Sequence, residues 1–206
     1  MAETAAPPQE PNDAELLAAI AGGDEAAFVT LYGRRHADVY RFAYAMAKSR
    51  GFAQDAAQEV FLNVLENAAR FDPAKGSVRA WLFGCARYVV LDRLRLERRW
   101  TDQQVAEPSG PGSDEEVLSQ ERVARLHAAV AQLPLEYRET LVLCELQELS
   151  YAETAVALDC PIGTVRSRLH RARALLATLL AENDAAAADD AIADDGGALR
   201  PSEVCS

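Results

Sequence analysis

Leu149-Ser-Tyr-Ala-Glu-Thr-Ala-Val-Ala-Leu-Asp-Cys-Pro-Ile-Gly-Thr-Val-Arg-Ser-Arg-Leu-His-Arg-Ala-Arg173 decides how this chain is read. Ser150-x-x-Glu153 fits a capping box and predicts a short helix over about 150–158. A turn follows at Asp159–Ile162, and Thr164 is placed to cap a second helix. Val165, Leu169, Ala172, Leu176 and Leu179 recur at helical spacing and predict its buried stripe. The opposite face carries Arg166, Ser167, His170, Arg171 and Arg173. Two helices joined by a tight turn form a helix-turn-helix, whose second helix can enter the major groove. Arginine suits that place because its planar fork pairs with guanine O6 and N7. Thr164 and the helix N-terminus suit a phosphate.

Outward from this motif, the chain reads as all-α. Pro134 predicts a helix start, where its missing N–H costs least. Ser113-x-x-Glu116 fits a second capping box. Nearer the N-terminus, Phe28, Leu31, Tyr32, Val39, Phe42 and Met46 share one helical face. Ala57, Val60, Phe61, Val64, Leu65 and Ala68 share another. Ser77 is placed to cap a third long helix that turns Val78, Trp81, Leu82, Cys85 and Val89 inward. Composition divides the chain into a disordered start (1–12), a helical unit (13–100), a flexible Pro/Gly linker (101–113), a second helical unit (114–180) and a mobile acidic tail (181–206), whose Ala-rich part has the propensity for transient helix.

The formal net charge is −11, which excludes a bulk polycation. Positive charge nonetheless gathers at Arg87–Arg99 and Arg166–Arg173. No run approaches the roughly 18–20 apolar residues that a membrane helix needs, so no membrane insertion is expected. No secretory signal is visible at Met1-Ala2-Glu3-Thr4. Cys85, Cys144, Cys160 and Cys205 lie far apart, which fits neither zinc spacing nor a disulfide framework. The expectation is a cytoplasmic protein with reduced thiols, Cys85 and Cys144 being buried as small hydrophobes. His36, His127 and His170 are scattered, with no nucleophile–base pair beside them. Neither an enzyme nor a bound metal or cofactor is expected.

The second basic concentration interleaves arginines with Tyr88 and Trp100, and Phe71-Asp-Pro-Ala-Lys-Gly-Ser77 runs into it. Aromatic stacking combined with charge neutralisation is how single strands are held. With that segment in place, the order of motifs resembles the bacterial sigma-70 family, in its extracytoplasmic-function (ECF) subgroup, over residues 13–177. Asp55-Ala-Ala-Gln-Glu-Val-Phe-Leu62 is similar to the family's helix that grips the RNA polymerase β′ clamp. Phe71 through Leu82, continuing to Ala86-Arg87 and Asp92-Arg93-Leu94-Arg95, resembles the segment that melts and reads the minus-10 element. Leu133-Pro134, Tyr137-Arg138-Glu139, Leu149–Glu153 and Pro161–Arg168 resemble the domain that reads the minus-35 element. Tyr88 stands where the subgroup commonly has Asn, and Asp159 where the turn commonly has Gly.

The resemblance implies a promoter-specificity subunit with core RNA polymerase (β′ clamp helices and β flap), promoter DNA and an anti-sigma factor as partners. It assigns polymerase docking to Asp55, Gln58, Glu59, Phe61 and Leu62, the last two as apolar anchors. It assigns the minus-10 element to Phe71, Lys75, Ser77, Arg87, Tyr88, Asp92 and Arg93. It assigns the minus-35 element to Thr164, Arg166, Ser167, Arg168, His170 and Arg171. The net charge agrees: a chain this acidic binds free duplex poorly, because nonspecific affinity comes from phosphate neutralisation. The rival reading is a stand-alone helix-turn-helix regulator of duplex operators. It explains residues 149–173 but leaves Asp55–Leu62 and Phe71–Leu82 without a purpose.

Overall fold

The structure is a computed structural model that describes residues 10–100 and 114–195. Four helices form the first unit: α1 (Asp13–Ala21), α2 (Glu25–Ala47), α3 (Arg50–Asn67) and α4 (Val78–Trp100). Each begins on a polar side chain that satisfies the free N–H groups of its first turn. Asn12 Oδ1 accepts from the Ala14 and Glu15 amides at 3.0 Å, while the Glu15 carboxylate accepts the Asn12 amide at 2.8 Å. Asp24, Ser49 and Ser77 cap the next three helices. Lys48 and Ser49 turn the chain between α2 and α3, Lys48 adopting the left-handed conformation.

An apolar core of Leu17, Leu31, Val39, Phe42, Met46, Val60, Val64, Leu82 and Phe83 holds these helices together. Phe42 and Phe83 meet edge to face at 5.7 Å. Phe28, Tyr32, His36, Tyr40 and Tyr44, four residues apart, run as an aromatic ladder along α2. Phe61 enters that ladder edge-on, 4.8 Å from Tyr32, and is only 2% exposed. It is therefore a core residue, which corrects its sequence assignment as a docking anchor. Leu65, expected inward, is exposed beside Leu62, because the α3 face they share has no neighbour.

The second unit contains α5 (Asp114–Gln132), α6 (Leu135–Leu141), α7 (Tyr151–Leu158) and α8 (Ile162–Asp195). Pro134 sits one position ahead of the helix it starts. After α6 the backbone widens into a π turn over Val142–Leu146, closed by the Gln147 amide on the Val142 carbonyl at 2.9 Å. The Ser150–Glu153 capping box is present. Asp159 ends α7 at φ 49°, a left-handed cap that Asp tolerates better than most residues. The α7–turn–α8 unit is a helix-turn-helix, and no strand occurs among the described residues.

Three expectations change here. Helix α8 starts at Ile162, so Thr164 lies inside its first turn and does not cap it; its amide bonds the Pro161 carbonyl at 2.8 Å. The same helix continues to Asp195 through residues read as a mobile tail. Alanine runs at 185–188 supply high helix propensity there even without an apolar stripe. The two units are also not loosely tethered: they share one apolar core, with Leu141, Val142, Ala157 and Leu158 joining the residues of the first unit. The linker 101–113, with Ser113, and residues 196–206, with Cys205, lie outside the described residues.

Candidate nucleic-acid interface

Helix α8 is fixed by Val165, Leu169 and Ala172, all at most 2% exposed. Anchoring those three sets the rotation of the helix and turns Arg166, Ser167, His170 and Arg171 to solvent, with Arg168 and Thr164 half-buried at the flanks. No ion pair involves Arg166, Arg168 or Arg171 among the described residues, so their guanidinium groups keep their full hydrogen-bonding capacity. Arg173, one turn later, is held by Glu145 from the π turn. This leaves a basic row of one helix's width, the shape and charge that a major groove accepts.

The first unit presents a different basic surface. Asp72 organises its loop: its carboxylate accepts the Ala74 amide at 3.0 Å and its carbonyl the Lys75 amide at 3.0 Å. Phe71 packs edge-on against Trp81 at 5.9 Å, bracing the loop on α4. Between the loop, α3 and α4 lies a cleft of about 440 Å³. Lys75 and Tyr88 line it, and Tyr88 is 71% exposed. Sequence reasoning missed other members of this wall. Asn63 and Asn67, four residues apart on α3, face the cleft, as do Trp81 and Cys85, which had been read as core. The asparagine pair at i, i+4 on α3 was the available signal. Cys85 is half-buried, and burial pushes its thiol up to about 11, which favours the protonated form. Cys144 is also half-buried and raised by burial, its sulfur 3.3 Å from the Thr154 hydroxyl.

Arg87, Ser77 and Arg93 do not line the cleft; each already holds a carboxylate. Arg87 grips Glu139 of α6 through Nε at 2.9 Å and a second nitrogen at 3.2 Å. The Ser77 hydroxyl donates to Glu153 of α7 at 2.7 Å. Arg93 donates through Nε to Glu59 of α3 at 2.6 Å and lies 3.6 Å from Asp55. Burial pushes the Glu153 carboxyl upward, but hydrogen bonds from Ser77 and Ser150, with the Arg79 charge, outweigh it and hold the pKa below its ordinary value. Asp92 is exposed on α4 away from the cleft. On α3, Asp55, Gln58 and Leu62 are exposed and Glu59 half-buried, an acidic and apolar face with Phe61 beneath it.

Comparison with known proteins gives this arrangement its family. Residues 31–100 match the model for sigma-70 region 2, and residues 124–176 the model for sigma-70, region 4. The chain is 34% identical to the ECF RNA polymerase sigma factor SigE of Mycolicibacterium smegmatis, over 88% of this chain and 74% of that protein. It is 37% identical to the ECF RNA polymerase sigma factor SigM of Mycobacterium tuberculosis H37Rv, over 83% and 86%. Among solved structures it is similar to CnrH in complex with the cytosolic domain of CnrY (TM-score 0.66, 25% identity, covering 82% of this chain and 97% of CnrH). It shares its fold with RpoE in the co-crystal with the anti-sigma factor NepR from Bartonella quintana (TM-score 0.61, 23% identity, 74% and 96%). With regions 2 and 4 in order and ECF relatives matched along most of its length, the chain belongs to the ECF family of RNA polymerase sigma factors, which direct promoter-specific transcription initiation.

Proposed function

We propose that the chain works as the specificity subunit of RNA polymerase, with its two helical units reading two promoter elements. The exposed α8 row of Arg166, Ser167, His170 and Arg171, with Arg168 and Thr164 at its flanks, reads the minus-35 duplex. Each good bidentate contact is worth about 1–3 kcal/mol of discrimination. The cleft between Lys75 and Tyr88 holds a base turned out of the nontemplate strand, at an extrusion cost of a few kcal/mol. Tyr88 and Trp81 offer the base its stacking surface. Phe71 braces that wall, and Ser77, Arg87, Asp92 and Arg93 complete the minus-10 surface.

Polymerase docking falls to Asp55, Gln58, Glu59 and Leu62, whose acidic and apolar mixture suits the β′ clamp helices; the second unit meets the β flap. An anti-sigma protein is the regulatory partner. The catalysis belongs to the polymerase, and the chain supplies the address. No described helix is long and apolar enough to cross a membrane, in keeping with action on DNA.

The observation that carries this reading is the unpaired arginine row on the second helix of a helix-turn-helix, in a chain that also holds the region 2 cleft. Run-off transcription with core polymerase on a genomic promoter library tests it. Arg171→Glu is expected to abolish promoter-specific transcripts while the chain still co-elutes with polymerase. Asp55→Lys is expected to lose co-elution. An Asp55→Lys chain retained as well as the parent ends the docking assignment.

A further inference from the structure

The cleft between the 71–77 loop, α3 and α4 has one wall made of amides. Asn63 and Asn67, both half-buried, line it together from α3. Asparagine is a poor choice inside a helix, because its side chain competes for backbone hydrogen bonds. Here that competition fixes both side chains. The Asn63 Nδ2 donates to the Glu59 carbonyl at 3.2 Å, and the Asn67 Nδ2 to the Asn63 carbonyl at 3.0 Å. A carbonyl oxygen accepts only from a donor, so the nitrogen of each amide is turned back on its own helix and the oxygen away from it. No described residue donates to either Oδ1. A free asparagine can turn over and offer either end to a ligand. These two are held with Oδ1 as the end left for the cleft.

The other walls are of different kinds. Trp81 and Tyr88 present aromatic rings, and Arg70 and Lys75 are exposed cations. Arg70 has no ion pair among the described residues, and Lys75 lies 3.9 Å from Asp72. Exposed cations suit the phosphates on either side of an extruded nucleotide, and rings suit its face. The edge of the base is left to the two amide oxygens, and an acceptor needs an N–H. Cytosine, adenine and guanine each carry an exocyclic amine with two N–H groups, whereas thymine carries none. Its single N3–H lies between two carbonyl oxygens. We propose that Asn63 and Asn67 make the cleft selective for a base with an exocyclic amine and against thymine. Thymine sets oxygen against oxygen there, and the back-bonded amides cannot turn over to relieve it. The inference deepens the minus-10 reading and rests on it for the extruded base.

Nucleotide substitution in the holoenzyme, the full-length chain on core polymerase, tests it. The probe is a fork-junction form of a promoter recovered from the run-off library. Each nontemplate position of its minus-10 element is changed in turn to an abasic nucleotide, dC or dU. The cleft position is the one where the abasic nucleotide weakens binding by the parent but not by Tyr88→Ala. Cytosine and uracil match in size and differ at the edge, amine against carbonyl, so dU stands in for thymine without its methyl group. At the cleft position dC is expected to bind about tenfold more tightly than dU, on the scale of one hydrogen bond. Asn63→Leu with Asn67→Leu is expected to make the two equal. Asn63→Asp with Asn67→Asp keeps the acceptor oxygens and is expected to keep the preference for dC. The ratio of the two affinities cancels the effect of the added negative charge. A cooperative melt and co-elution with polymerase identify the variants that are folded.

Equal binding of dC and dU at the cleft position overturns the selectivity. A preference for dC that survives the paired leucine substitutions overturns the roles of Asn63 and Asn67. A preference lost in the paired aspartate variant overturns the acceptor assignment, because the amide N–H groups would then be the readers. If Tyr88→Ala cancels the abasic effect at no position, the base-cleft reading itself ends and this inference ends with it, so the two failures are told apart.

Discussion

Arg166 and Arg171 on α8 stand exposed with no carboxylate partner among the described residues, whereas Arg87 and Arg93 on α4 are each gripped by a glutamate. The residue type is the same and its availability is opposite. Helix α8 packs through one stripe and leaves the rest of its surface to solvent. Helix α4 is contacted from both sides, by α2 and α3 within its own unit and by α7 across the seam. Ala80, Phe83, Ala86 and Val90 are all fully buried as a result. The α8 arginines are therefore open to a ligand, while the α4 arginines are already engaged within the chain.

The contrast can be broken most strongly at its open end. Replacing Arg166 and Arg171 together by Glu removes two contacts worth about 1–3 kcal/mol each and is expected to cut promoter-specific run-off transcription by a hundredfold or more. Core polymerase binding, read by co-elution, should stay unchanged. The next effect separates core from surface on α3. Phe61→Ala, in the aromatic ladder, is expected to lower stability by about 3–5 kcal/mol in urea unfolding. Leu62→Ala, next to it but 54% exposed, should stay within about 0.5 kcal/mol of the parent. A comparable loss at Leu62 would mean that the exposed α3 face is buried in solution.

A smaller effect sharpens the second unit. Ser150→Ala removes the cap of α7 and is expected to cost about 1 kcal/mol, seen as a lower Tm with intact helix content. The smallest effect is a pH dependence at the seam between α2 and α5. His127 meets the Tyr44 ring edge-on at 5.5 Å. Burial, with the Lys48 charge, holds its imidazole below the ordinary value. The packed form therefore prefers the neutral ring. Stability is full above the ordinary histidine pKa of about 6.5 and falls as pH drops below it, where the unfolded chain binds the extra proton. Between about pH 7.5 and about pH 5.5 the parent should lose more Tm than His127→Phe, which keeps the ring contact without the proton site. Equal losses would remove His127 as the source.

Much of the site was legible because its signals are local. The capping box at Ser150–Glu153, the Asp159 turn and the Val165–Leu169–Ala172 stripe each depend on residues within a few positions of one another, so periodicity and cap chemistry were enough. Phe61 and Leu62 show the limit. They are adjacent and both apolar, and a helical wheel cannot say that one enters the α2 ladder while the other faces out. Asn63, Asn67 and Cys85 became cleft residues only because the 71–77 loop folds over them.

The sequence by itself determined the helices, their order, the two arginine clusters and the family, because these follow from short-range spacing and motif order. Tertiary structure alone decided which arginines are free. The Arg87–Glu139 pair joins residues 52 positions apart, and the Ser77–Glu153 pair residues 76 apart. Such pairs form only when two helices dock at a particular rotation and height. That docking is set by the shape of the shared apolar core, which leaves no periodic mark on the chain.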